Sequence, residues 1–258
     1  MIRGVDMNGK TRIILNGAGG RMGREIMRLL SDGFRNCTLV AVVDARGLEA
    51  VPYPAFTSIS DCDVEADCII DFSHHSATGA LMAYAVEKGL PAVVATTGQT
   101  DEELQIIADA SKKIPIFRAA NMSVGVALLI ELAKQAAAAF PEADIEIVEA
   151  HHNQKLDVPS GTALAIANAI CEVREDAELV VGRHENGKRR PEEIGIHSLR
   201  MGNVVGVHEI MINTGSQILT LKHEAVSRSL FAEGAPVAAE WLVGQTAGLY
   251  GMSDMLEK

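Results

Sequence analysis

Long apolar runs are absent from the sequence. No segment approaches the roughly 20 apolar residues that a membrane-spanning helix requires. The first ten residues, MIRGVDMNGK, contain no apolar stretch of the kind found in secretory signal peptides. We therefore expect a cytoplasmic protein that has no membrane partner.

Cysteine is scarce and scattered. The four cysteines, Cys37, Cys62, Cys68 and Cys171, form neither a C-x-x-C pair nor a cluster with the spacing of zinc ligands. This pattern favours reduced thiols in a cytosolic setting. We expect no disulfide framework and no bound metal.

Positive charge is in deficit. There are 23 Lys and Arg against 34 Asp and Glu, which gives a net charge of -11. An acidic protein repels phosphate backbones, so we expect no nucleic-acid partner. The one basic cluster, Lys188, Arg189 and Arg190, is flanked by acidic residues and a proline, and we interpret it as a solvated loop.

The first half of the chain alternates between strand-like and helical segments. Of the 258 residues of the whole chain 48% are hydrophobic, enough to form the core of one large or two modest domains. Short apolar strands are predicted at 12–16, 39–43, 68–72, 91–96 and 114–117. Helical segments lie between them, one ending at Gly89 and one beginning with a capping box of Thr100 and Glu103. The pattern predicts an α/β domain with a doubly wound parallel (Rossmann-like) sheet.

The pattern changes after residue 121. A long helix is predicted at 124–140 and a strand at 144–150, and successive strands follow from 194 to 227 with a hairpin turn at 213–216. Helical periodicity returns at 229–245, interrupted by Gly234 and Pro236. We therefore predict a second, α+β domain at 122–228 and a first domain of residues 1–121 plus 229–258.

A glycine-rich turn follows the first strand, in the order G-A-G-G-R-M-G from Gly17 to Gly23. The dinucleotide fingerprint G-x-G-x-x-G would need glycine at the position of Met22, and the glycines fall instead at Gly17, Gly20 and Gly23. Such a turn lets the backbone approach a pyrophosphate at the start of the next helix, where Arg21 stands. A tight turn with no ligand is the alternative.

Further strand ends point to a dinucleotide, because ligands of open α/β sheets lie beyond the carboxyl ends of the strands. Asp44 lies about 20 residues after the glycine turn, where an acid can bind the ribose hydroxyls. Arg46 is placed to meet a 2′-phosphate, which leaves NADH and NADPH both open. The candidates for the nicotinamide end are Phe72, Ala95, Thr97, Ala120 and Met122.

The segment EAHHNQKLDVPSGT, residues 149–162, has the highest concentration of side chains that can take part in catalysis or binding. Ser160, Gly161 and Thr162 begin a predicted helix, whose free N–H groups and dipole favour a carboxylate. Lys155 adds a positive charge, and histidine is suited to deliver the proton that accompanies a hydride. Adjacent histidines, His151 and His152, permit one to donate the proton and the other to hold substrate. A surface loop with a capped helix is the alternative.

Together these motifs resemble the dihydrodipicolinate reductase family. The similarity includes E-A-H-H-x-x-K-x-D-x-P-S-G-T, G-x-x-G-R-M-G, D-F-S, A-T-T-G, A-A-N-M-S-V-G-V and the R-x-G-x-x-x-G beginning at Arg200. The resemblance implies reduction of a small cyclic dicarboxylate, 4-hydroxy-tetrahydrodipicolinate, with NADH or NADPH, in diaminopimelate and lysine biosynthesis. It further implies a homotetramer assembled through the second domain, which would serve both substrate binding and oligomerisation.

The resemblance also assigns roles to residues. It makes His151 the general acid and Lys155 a substrate-binding residue important for catalysis, with His152, Gly161 and Thr162 holding a carboxylate. Two positions depart from familiar members. Ala95 stands where glycine is frequent, and Asp44 is followed by alanine where some members have glutamate and arginine, and both bear on coenzyme preference.

Two other functions are compatible with a two-domain nucleotide-binding chain. A related amine or semialdehyde dehydrogenase would need a pocket without the carboxylate partners Lys155, Ser160, Gly161 and Thr162. A non-catalytic NAD(P)-sensing protein would need a DNA-binding module or a basic face, and neither is evident in the sequence.

Overall fold

The computed structural model describes residues 9–257. Within them the chain divides into two compact units, one that runs to Ser123 and resumes at Ser229, and one that spans Val124–Arg228. The first sequence-based domain, 1–121 plus 229–258, includes residues 1–8 and 258, which lie outside the described part, as does most of the MIRGVDMNGK segment. The roles predicted for the two domains stay predictions.

Strands and helices alternate along much of the chain. The strands are β1 (Thr11–Asn16), β2 (Cys37–Val43), β3 (Ala55–Phe56), β4 (Cys68–Asp71), β5 (Ala92–Val94), β6 (Pro115–Arg118), β7 (Asp144–His151), β8 (Glu178–Val181), β9 (Glu193–Arg200), β10 (Gly206–Asn213), β11 (Ile218–Ala225) and β12 (Gly248–Tyr250). The helices are α1 (Arg21–Ser31), α2 (Thr78–Lys88), α3 (Asp101–Ser111), α4 (Val124–Ala139), α5 (Gly161–Cys171), α6 (Leu230–Leu242) and α7 (Met252–Leu256). Among residues 9–257, none of these helices combines the length and apolarity needed to cross a membrane.

The first unit is built on one parallel sheet with the strand order β12-β6-β5-β4-β1-β2-β3. From β1 the chain proceeds to one side through β2 and then crosses to the other side through β4. The crevice at the carboxyl ends of β1 and β4 is therefore the switch point at which such sheets bind ligands. The predicted doubly wound, Rossmann-like sheet is confirmed, with β3 and β12 as two edge strands that were not predicted.

Local sequence signals set the end of helix α2 and the start of helix α3 as expected. Gly89 follows α2 with a left-handed φ of 64°, which glycine adopts without a steric cost. Thr100 and Glu103 form the predicted capping box at the start of α3.

Helix α6 continues through the two residues that were predicted to interrupt it. A Cβ on Gly234 would lie 1.7 Å from the carbonyl oxygen of Met122, so glycine is what allows the helix to pack this closely against the backbone. Pro236 is buried within the same helix. The expectation of an interruption was wrong because packing in the core holds the helix together despite the lost N–H group.

The second unit contains a mixed sheet in the order β11-β10-β7-β9-β8. Strand β7 is its centre, paired antiparallel with β10 and parallel with β9. Helices α4 and α5 pack on one face against inward side chains such as Ile145, Ile147 and Ile210. The predicted α+β architecture and the hairpin between β10 and β11 are confirmed.

The basic cluster lies in a loop, as predicted, with Lys188 and Arg190 exposed and Arg189 half-buried. Arg189 donates to Asp144 and Glu146, and Arg190 pairs with Glu178 and Glu193. These ion pairs were not predicted, because the carboxylate partners are 12 to 45 residues away for most of the contacts.

Candidate active site

The turn after β1 is closely packed in the first unit. Gly17 has a φ of 83°, and a Cβ on it would lie 2.4 Å from the carbonyl oxygen of Phe72. A Cβ on Gly23 would lie 2.3 Å from the carbonyl oxygen of Gly17. Both positions therefore require glycine.

The turn leads directly into the N-terminus of α1. The helix has Gly20 as its N-cap residue and no side-chain cap. The N–H groups of Arg21, Met22 and Gly23 occupy the first turn, where they have no partner inside the helix. The backbone thus offers donors and a positive dipole end with no capping side chain over them, an arrangement that fits a dinucleotide pyrophosphate.

Asp44, at the end of β2, is held against this turn. Its side chain is 6% exposed, and it accepts hydrogen bonds from the Gly19 N–H at 2.8 Å and from Arg46 Nε at 3.2 Å. Burial raises the pKa of Asp44, but the hydrogen bonds from Arg46 and Gly19 outweigh it and lower the pKa below the ordinary value. The two residues predicted to choose between ribose and 2′-phosphate therefore form one ion pair, with Arg46 on the solvent side.

A second buried carboxylate ties three strand ends together. Asp71, 2% exposed, accepts hydrogen bonds from Asn16 Nδ2 at 2.8 Å and Thr96 Oγ1 at 2.6 Å. Burial raises its pKa, which the hydrogen bonds oppose. This contact fixes the carboxyl ends of β1, β4 and β5 at the switch point.

The remaining candidates for the nicotinamide end differ in exposure. Thr97 and Ala120 are exposed and Phe72 is half-buried, whereas Ala95 and Met122 are buried. Where a residue is buried, its backbone and the shape it gives the surface are what it can offer a ligand.

In the second unit, β7 carries its chemistry on the face that points into the core. Its buried positions alternate as Ile145, Ile147, Glu149 and His151, so the last two continue an apolar row with a carboxylate and an imidazole. Such polar groups must be paired where they are buried.

Glu149 and His151 form a compact hydrogen-bonded group with Arg200. Nδ1 of His151 lies 2.6 Å from Glu149 Oε2. Arg200, on β9, donates to both carboxylate oxygens at 2.9 and 2.8 Å. Burial raises the pKa of Glu149, but the hydrogen bonds from Arg200 and His151 outweigh it and lower the pKa to about 2. The carboxylate is therefore ionised at neutral pH.

Ser160 connects this group to helix α5. Its N–H donates to Glu149 Oε1 at 3.2 Å, and its Oγ, the N-cap of α5, accepts from the Ala163 N–H at 3.2 Å. The same Oγ lies 3.0 Å from Nε2 of His208 on β10. Burial, together with the charge of His151, lowers the pKa of His208 to about 4, so its ring is neutral near pH 7.

The predicted anion-binding residues lie around the start of α5. Gly161 is exposed at the helix N-terminus, and Thr162 and His152 are half-buried. Lys155 pairs with Asp157 through a 2.9 Å contact. A helix start and an ammonium group both attract a carboxylate electrostatically.

Comparison with known sequences decides the family. The family model described as dihydrodipicolinate reductase, N-terminus, matches residues 11–122, and the family model described as dihydrodipicolinate reductase, C-terminus, matches residues 125–256. The chain belongs to the dihydrodipicolinate reductase family. The resemblance inferred from the motifs is confirmed.

Individual members of the dihydrodipicolinate reductase family align over nearly the whole chain. The protein named 4-hydroxy-tetrahydrodipicolinate reductase in Caldanaerobacter subterraneus subsp. tengcongensis is 44% identical and covers 96% of this chain and 98% of its own. That of Clostridium novyi is 42% identical with the same coverage. The dipicolinate-bound dihydrodipicolinate reductase from Paenisporosarcina sp. TG-14 superposes with a TM-score of 0.81 at 28% identity, over 95% of this chain and 99% of that one.

Three residues of the site had no role assigned from the sequence: Glu149, Arg200 and His208. Glu149 and Arg200 were noted within motifs, and His208 lies in none of them. A signal for two of them was present, because Glu149 continues the row of Ile145 and Ile147, and His208 that of Ile210 and Ile212. A charged or titratable residue in an inward strand position indicates a buried polar site.

Proposed function

We propose that the chain reduces 4-hydroxy-tetrahydrodipicolinate to tetrahydrodipicolinate with NADH or NADPH, a step of diaminopimelate and lysine biosynthesis. The observation that carries the proposal is the buried Glu149 and His151 pair, joined through Ser160 to the start of α5. Curated relatives at 44% and 42% identity carry the name of this reaction. The conversion takes up one hydride and one proton and releases one water.

The substrate is a small cyclic dicarboxylate, and this chain offers positively charged and hydrogen-bond-donating groups that can bind its carboxylates. We assign one carboxylate to the helix start formed by Ser160, Gly161 and Thr162, with Lys155 and His152 as further donors. The dipicolinate held by the Paenisporosarcina relative is also a cyclic dicarboxylate, which supports the substrate class. Lys155 would exchange its contact with Asp157 for one with the substrate.

We assign His151 as the proton donor, acting from Nε2 because Nδ1 faces Glu149. Histidine serves this role near neutral pH because its charge changes there. Lys155 completes the catalytic pair by attracting the negative charge of the substrate.

The coenzyme site is assigned to the first unit. Gly17, Gly20, Arg21, Met22 and Gly23 would bind the pyrophosphate, and Asp44 with Arg46 the adenosine ribose. The nicotinamide end is assigned to the strand-end residues Phe72, Ala95, Thr97, Ala120 and Met122. When bound, the reduced nicotinamide supplies the hydride.

We further propose that the chain works in the cytoplasm as a homotetramer assembled through the second unit. Strand β11 supports this assembly, because it is an edge of its sheet and carries Ile218 with 64% of its surface exposed. Exposed apolar edge strands favour pairing with another chain.

The test is a direct assay. The purified protein is mixed with the freshly formed condensation product of aspartate semialdehyde and pyruvate, and the absorbances of NADH and NADPH are followed in separate reactions. We expect loss of signal with at least one coenzyme, and none when aspartate semialdehyde is omitted. No loss with either coenzyme would contradict the proposal, and NADH binding without oxidation would favour a sensor.

A further inference from the structure

We propose that Glu149 is the positioning residue for His151: clamped by Arg200, its carboxylate holds the imidazole with Nδ1–H toward itself and leaves Nε2 to meet the substrate. The inference rests on the proposed function, in which His151 delivers the proton. It adds to that function a role for a residue that would not touch the substrate.

The geometry determines which nitrogen carries hydrogen. Glu149 is fully buried and accepts hydrogen bonds from two guanidinium nitrogens of Arg200 and from the Ser160 N–H. An ionised carboxylate only accepts, so the 2.6 Å contact requires the hydrogen to lie on Nδ1 of His151. In the neutral ring Nε2 is then an unprotonated acceptor, and a proton gained there is the one available for transfer.

The proton balance follows from this tautomer. The hydroxyl group leaves as water together with a hydrogen of the neighbouring ring carbon, and the protonated ring of His151 gives its Nε2 proton to the substrate as the hydride adds. The neutral ring that remains keeps Nδ1–H on Glu149, and Nε2 regains a proton from solvent. Glu149 stays ionised throughout.

The groups that face His151 have opposite effects on the protonation of its ring. Arg200 from β9 and Lys155 from the following loop disfavour the protonated ring, and His208 from β10 is neutral near pH 7. Burial, with these two cations, lowers the pKa of His151, and Glu149 acts in the opposite sense. Of these four groups, Glu149 alone favours the protonated ring, so its loss would leave less proton donor at any given pH.

The experiment compares Glu149→Gln with Glu146→Gln. The glutamine at position 149 keeps the size of the side chain and an acceptor oxygen but loses the charge. Glu146 is a matched control, because it lies on the same strand, accepts from Arg189, and is 2.9 Å from His197 Nε2, but it faces the other way. Full pH profiles of kcat and KM are measured for the wild type and both variants.

We expect Glu149→Gln to lower kcat by about 10- to 1,000-fold, less than loss of His151 itself, with KM nearly unchanged. The fall in rate at high pH should begin at a lower pH than in the wild type, whereas Glu146→Gln should keep the wild-type profile. Glu149→Asp keeps the charge but has a shorter side chain. The pH at which its kcat begins to fall should therefore return close to the wild-type value, while kcat itself recovers less. A pH profile unchanged in Glu149→Gln would overturn the inference.

A second measurement needs no substituted Glu149. Nitrogen-15 NMR of the wild-type protein, with the His151 signal identified by its loss in His151→Asn, reports which ring nitrogen carries hydrogen. Protonation at Nδ1 in the neutral ring supports the inference, and protonation at Nε2 contradicts it. Absence of turnover in the wild type would instead contradict the proposed function and leave this tautomer result standing on its own.

Discussion

A Cβ atom placed on Gly206 would lie 3.1 Å from Nε2 of His151. Gly206 is the first residue of β10, and it has no left-handed backbone angle that would itself demand glycine. The missing side chain therefore has a steric meaning: it leaves open the side of the imidazole from which the proposed proton leaves.

Gly206→Ala should obstruct that nitrogen without unfolding the chain. The added methyl group would crowd Nε2, and because misplacement of about 1 Å at a reacting group costs on the order of 100-fold, we expect kcat to fall by roughly 10- to 100-fold. The measurement is steady-state kinetics together with thermal unfolding.

Gly79→Ala is the control for this substitution, because a Cβ there meets no atom within 4 Å. It should leave kcat and KM at wild-type values. Equal kinetics for Gly206→Ala and Gly79→Ala would show that Nε2 is not the working atom.

Substitutions of the two adjacent histidines, His151 and His152, should affect different kinetic constants. His151→Gln should lower kcat by roughly 100- to 10,000-fold, the usual contribution of a positioned acid. His152→Gln should chiefly raise KM, since its proposed role is to hold a carboxylate. Both follow from initial rates over a range of substrate concentrations, and a large loss of kcat in His152→Gln with little change in His151→Gln would reverse the two roles.

The sequence predicted the fold where short-range signals act alone. The glycine turn, the end of α2 at Gly89 and the capping box of Thr100 each depend on residues a few positions apart. Strand β12 was missed because its three residues become a strand only by pairing with β6, more than 100 residues earlier.

In the site, too, the residues close together in sequence were predicted and the long-range contacts were not. His151, Lys155 and Ser160 lie within one motif and were predicted, but the clamp on Glu149 comes from Arg200, 51 residues away. Sheet register creates that contact, since His151 on β7 is paired with Arg200 on β9. The pairing of Asp44 with Arg46 was missed for another reason, because the two were considered as alternative ligands and not as partners.

Coenzyme preference should depend on Arg46. A 2′-phosphate near Asp44 would meet a buried negative charge, and Arg46 compensates for it from a side chain that is 74% exposed. We expect Arg46→Ala to raise KM for NADPH about tenfold more than KM for NADH, which corresponds to one charge-assisted hydrogen bond. Separate titrations with the two coenzymes test this. Parallel changes in both values would mean that Arg46 does not discriminate between them.

Buried His208 should make the folded chain sensitive to mild acid. Its pKa is lowered from 6.5 to about 4, chiefly by burial, so the unfolded chain binds this proton more readily than the folded chain. Stability is therefore lost as pH falls from 6.5 toward 4, and between pH 7 and pH 5 the loss from this one ring is about 2 kcal/mol.

Denaturant unfolding of His208→Asn at these two pH values measures that contribution. The variant should lose about 2 kcal/mol less than the wild type between pH 7 and pH 5. Glu149 does not confuse the result, because its pKa is lowered from 4.5 to about 2 and its contribution is lost mainly below pH 4.5. His184→Asn, at an exposed position, should retain the full wild-type dependence. If His208→Asn retains it as well, the acid sensitivity comes from other groups and His208 is not the buried titrating ring.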